Sequence, residues 1–85
     1  MKLFVISFAP YDDRASVGGF DWYYDQDKAL AAFEEEIRAN DDTHIVRLIE
    51  FNSISSDKNS ITQEIDDNLR QIEGRAIPIR QYIPV

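Results

Sequence analysis

Eighty-five residues without a cysteine read as a single domain, 1–85, near the lower size at which an apolar core holds without staples. They exclude disulfides, thiolate metal sites and thiol nucleophiles, while an apolar share of 44% with ten aromatics excludes wholesale disorder. The net charge of −7 lies almost wholly in the first half, −6 over residues 1–42 against −1 over 43–85. That balance disfavours direct contact with nucleic acid or membrane and favours basic protein surfaces as partners.

Leu3-Phe4-Val5-Ile6-Ser7-Phe8-Ala9 is a nearly continuous apolar run stopped by Pro10, the pattern of a strand buried on both faces. It is too short for a membrane span and lacks the flanks of a signal segment, so the expectation is a soluble cytoplasmic protein, in the host cell's cytoplasm if phage-encoded. Tyr11 to Gly19 is a polar connection ending in a glycine pair, and Phe20 to Tyr24 resumes as a strand. The two strands form an antiparallel hairpin in this reading. Alternation sends Phe20, Trp22 and Tyr24 into the core and leaves Tyr23 outside with Asp21 and Asp25.

Asp25 or Asp27 is placed to cap the next helix. Leu30, Phe33 and Ile37 mark its buried stripe, with Gln26, Ala29 and Glu34 at the margins and Lys28, Ala32, Glu35 and Ala39 opposite. Glu34 and Arg38 stand four apart in the favourable order, and Asn40-Asp41-Asp42 is a plausible stop. Thr43 to Phe51 predicts a third strand. After a polar loop, Ser60-Ile61-Thr62-Gln63 fits a capping box, followed by a helix with Ile61, Ile65, Leu69 and Ile72 on one face and Gly74 as its stop. The tail from Arg75 contains Pro78 and Pro84, which confines it to an edge strand or an extended arm. The order β-β-α-β-α-β predicts an α+β fold, a mostly antiparallel sheet with two helices packed on one face.

No catalytic, cofactor or metal site assembles from these residues. His44 is the sole histidine and has no cysteine or nucleophile-turn serine to work with. Gly18-Gly19 lacks the spacing of a phosphate loop, and the acids from Asp21 to Glu36 lack the calcium-loop pattern. An enzyme is not expected. What remains is an acidic half with aromatic anchors: Tyr11, Asp12, Asp13, Asp21, Tyr23, Asp25 and Asp27, extended by Glu34, Glu35, Glu36, Asp41 and Asp42. A carboxylate array of this kind can imitate nucleic-acid phosphates and occupy a Lys/Arg groove.

Leu3 to Ala9, Tyr11, Gly19-Phe20-Asp21-Trp22 and Phe33-Glu34-Glu35 resemble the first half of the antirestriction DNA mimics of mobile elements. In size, acidity and lack of cysteine the chain is also similar to phage-encoded anti-CRISPR proteins. Both resemblances imply a non-enzymatic inhibitor, without cofactor, bound to a basic surface of a host nucleic-acid-binding defence complex. The alternative is an assembly module that dimerises through a sheet edge or through the segments Ile77-Pro78-Ile79 and Tyr82-Ile83-Pro84-Val85. Monomer and homodimer both remain open on the sequence.

Overall fold

The computed structural model describes residues 1–10, 19–39, 44–71 and 76–83. In chain order these form β1 (Lys2–Pro10), β2 (Gly19–Tyr23), α1 (Gln26–Ala39), β3 (His44–Asn52), α2 (Lys58–Gln71) and β4 (Ala76–Tyr82). The strands make one antiparallel sheet in the order β2-β1-β3-β4. The expected α+β order and the hairpin of β1 with β2 are both present.

The helices do not share a face, contrary to expectation. Ala29 and Phe33 of α1 pack with Phe4 and Ile6 of β1 and Val46 and Leu48 of β3. Ile61 and Ile65 of α2 pack on the other side, against Leu3 and Val5 of β1 and Ile49 and Phe51 of β3, with Phe20 and Trp22 beside them. The physical reason lies in the two central strands. Each carries apolar side chains on successive positions, so both faces of the sheet need a cover. A helix pair on one side would leave Leu3, Val5, Ile49 and Phe51 in water.

Each helix is capped by an aspartate. Asp25 Oδ1 accepts the Asp27 N–H at 2.9 Å while its carbonyl accepts Ala29 N–H at 3.0 Å, so Asp25 rather than Asp27 caps α1. Helix α2 begins a turn before the expected capping box: Asp57 Oδ2 accepts the Ser60 N–H at 3.0 Å and the Asp57 carbonyl accepts Ile61 N–H at 2.9 Å. The bond from the Ser60 amide holds the Asp57 carboxyl below its ordinary range. Asp57 takes the N-cap place that the sequence pattern assigns to Ser60, and its carboxylate accepts the Ser60 N–H that the capping box would have given to the Gln63 side chain.

The outer strands have different characters. In β4, Leu48 pairs with Arg80 but Ile49 pairs with Pro78, leaving Ile79 as the extra residue of a bulge. A proline beside a bulge suits an edge, and Tyr82 packs against the α1 cluster, so the tail is an edge strand of the sheet. On α1, Ala32 also packs inward, although the helical wheel places it opposite Phe33's stripe. The contacts of Leu69 and the whole of Ile72 and Gly74 lie outside the described residues.

Because the sheet separates the two clusters, they contribute independently. Phe33→Ala is expected to cost about 3–5 kcal/mol and Ile61→Ala about 2–5 kcal/mol, and the double variant should show the sum of the two losses. Urea unfolding of the three variants measures this; strong non-additivity would place both helices in one cluster.

Candidate functional site

Strand β2 is a five-residue edge strand held from both sides. Trp22 faces α2, where its Nε1 donates to Thr62 Oγ1 at 3.1 Å. Tyr23 faces the other way and packs against the α1 cluster. Both faces of the sheet are covered by helices, so neither side of β2 is an outer side. Tyr23, expected outside, is therefore half-buried. Tyr24, expected in the core, is 53% exposed, because the strand ends at Tyr23 and the chain bends toward the Asp25 cap. Its ring meets that of Trp22 edge to face, 5.1 Å between centroids at 86°.

Period-two alternation puts Asp21 on the same side of β2 as Tyr23, and the register sets them opposite Ile6 and Phe4. The phenol of Tyr23 is pushed above its ordinary value of 10.0, first by burial and then by the negative charges of Asp21, Glu36 and Glu35. Carboxylates from two elements, β2 and α1, thus contribute to the negative field at this phenol. Glu34 belongs elsewhere: its Oε1 lies 3.7 Å from Arg80 Nη1 on β4, the opposite edge of the sheet. Both partners are exposed, so the pair is worth about 0–1 kcal/mol at most. The expected Glu34–Arg38 ion pair gives way to it, and Arg38 Nε donates to the Glu34 carbonyl at 3.4 Å.

The acids that the sequence marks as candidates therefore fall into groups. Asp21, Glu36 and Glu35 all contribute to the negative field at Tyr23. Asp25 and Asp27 sit at the N-terminal end of α1, with Asp25 engaged as its cap. Glu34 stands toward the far edge, and Tyr11, Asp12, Asp13, Asp41 and Asp42 lie outside the described residues. Among the described residues no three His, Asp or Glu side chains are grouped as a metal ion requires, and no described helix is long and apolar enough to cross a membrane. His44 is exposed at the first position of β3.

A second polar cluster escapes sequence reasoning altogether. Glu64, in the second turn of α2, reaches back to the loop after β3. Its Oε1 accepts from the hydroxyls of Ser53 at 3.0 Å and Ser55 at 2.8 Å and from the Ser55 N–H at 3.2 Å, while Oε2 accepts the Ile54 N–H at 3.1 Å. Ser53 is 4% exposed, and its N–H and carbonyl exchange bonds with the Met1 carbonyl and nitrogen, both at 2.7 Å. The serines donate to a carboxylate, so they are held as structure and not activated as nucleophiles. The only sequence signal is a serine-rich loop followed about two to three helical turns later by an acid, which is too common a pattern to single out.

Comparison of the chain with protein-family models, with curated proteins and with solved structures finds no match. The antirestriction and anti-CRISPR likeness thus rests on the residues alone.

Two outcomes follow from these clusters. Asp21→Asn, Glu35→Gln and Glu36→Gln together should bring the Tyr23 titration back toward its ordinary range, leaving only the contribution of burial; ultraviolet or NMR titration with Tyr23→Phe as the blank reads this out, and an unchanged midpoint would remove the acids from the phenol's surroundings. Glu64→Ala strands several loop donors and should lower stability by about 1–3 kcal/mol, with faster amide exchange at Ile54 and Ser55.

Proposed function

We propose that this protein is a small non-enzymatic inhibitor that docks its β2–α1 flank on a basic surface of a host nucleic-acid-binding defence complex. The observation that carries this reading is the placement of Tyr23 against the α1 cluster on the same side of β2 as Asp21, within the negative field of Asp21, Glu36 and Glu35. A half-buried tyrosine has little freedom left to lose on binding, and its hydroxyl stands where cationic side chains of a partner are drawn in. Asp25 and Asp27 extend the field along the start of α1, and the proposal includes Tyr11, Asp12, Asp13, Asp41 and Asp42 as its continuation. Glu34 is left out because it pairs across the other edge.

Such an interface works by charge steering and by displacement of phosphates, so it weakens as salt rises. The alternative, assembly through the β4 edge, has in its favour the exposed Ile79 and Ile83. Against it stand the proline and the bulge on that edge and the inward packing of Tyr82, features that discourage strand addition.

The test is capture of nucleic-acid-binding complexes from a candidate host lysate on the tagged protein. Binding should fall steeply between about 50 and 200 mM salt, should be displaced by added DNA or RNA, and should be lost on reversing Asp21, Glu35 and Glu36 to Lys. Glu35→Lys should weaken it more than the matched Glu34→Lys on the other flank. Binding indifferent to salt and to these reversals would overturn the reading.

A further inference from the structure

Two lysines stand where helix physics disfavours them. Lys58 is the first residue of α2 and Lys28 the third of α1, and a cation in the first turn opposes the positive end of the helix dipole. Neither has an ion-pair or hydrogen-bond partner among the described residues, in a chain that carries sixteen acids. Both line one open cleft of about 330 Å³, completed by Trp22, Tyr23, Tyr24 and Asp25, at the lower end of the size of small-ligand sites. Asp25 is the one acid on its wall, and its Oδ1 is already engaged by the α1 amide of Asp27. The aromatic wall includes Tyr24, 53% exposed and braced edge to face by Trp22.

We propose that this cleft binds a nucleoside monophosphate, the planar base stacked on Tyr24 and the phosphate held between the ammonium groups of Lys28 and Lys58. The aromatic wall calls for a flat ring, since stacking of a base on a side chain of this kind contributes appreciably to affinity. Two lysines on one wall, neither with a side-chain partner among the described residues, call for an anion, and a phosphate has oxygens enough to accept from each. The charge of the whole chain sets the length of the ligand. A single phosphate feels the local cations, whereas a polymer threads further phosphates past a surface of net charge −7. The cleft shares Tyr23 and Asp25 with the proposed docking flank, but Lys28, Lys58 and Tyr24 take no part in that reading, so variants at those three residues test the two proposals separately.

Isothermal titration and Trp22 fluorescence with adenosine and uridine 5′-monophosphates, the matching nucleosides, inorganic phosphate and a short single-stranded oligonucleotide test this. Saturable binding of the monophosphates, at least about tenfold tighter than the nucleoside or phosphate alone, is the expected result. Lys28→Glu with Lys58→Glu should weaken it by about tenfold or more while melting no lower than the parent, because acids in those first turns complement the dipole. Tyr24→Ala should weaken it by about tenfold, its exposed ring being dispensable to the core. Absence of binding, equal binding of phosphate alone, tighter binding of the oligonucleotide, or affinity unchanged in the lysine variant would each overturn the proposal.

Discussion

The fold depends on one demand: β1 and β3 are apolar on both faces, and each face must be removed from water. The two strands lie side by side at the centre of the sheet, so their side chains merge into two continuous apolar surfaces, one carrying Leu3, Val5, Ile49 and Phe51, the other Phe4, Ile6, Val46 and Leu48. Apolar area left exposed on either side would cost roughly 25 cal/mol for each Å², and in a chain this short little else offsets such a loss. Two helices of fourteen residues each are what the chain has to cover them, and one goes to each side. The three-layer arrangement follows from that arithmetic of surfaces.

The same demand shapes the edge strand. A helix above and a helix below leave β2 no free face, so alternate aromatics are drawn to opposite layers: Trp22 to Thr62 of α2, Tyr23 to the α1 cluster. Charged groups of β2 are left to the rim, where Asp21, with Glu36 and Glu35 of α1, adds to the negative field at Tyr23. The run Glu34-Glu35-Glu36 is divided by the sheet beneath it, one carboxylate toward Arg80 on β4 and two toward β2. The glutamates of this run are thus sorted toward different edges, and the lysines at the starts of α1 and α2 line a cleft beside Tyr24.

Polar bonds then fix what burial leaves loose. Asp25 and Asp57 satisfy free amides at the two helix starts, and Glu64 ties the loop after β3 to α2 through Ser53, Ile54 and Ser55. That loop holds the Ile54 side chain 84% exposed while its amide is bonded to Glu64. The buried polar atoms of the described side chains all have partners, as a small core requires.

Much of this was legible in the sequence: four strands and two helices in order, the Phe33 and Ile61–Ile65 stripes, an aspartate cap before α1, and a proline-bearing edge strand. These are local properties, set by periodicity, turn chemistry and the missing N–H of proline, which act over a few residues. Tertiary structure alone decided which face each helix covers, that Tyr23 turns inward and Tyr24 outward, that Asp57 and not Ser60 caps α2, and that Asp21 joins Glu35 and Glu36 while Glu34 parts from them. The reason is geometric. A pattern of two or 3.6 residues says which side chains share a side, but only the packing of separate elements says what that side meets.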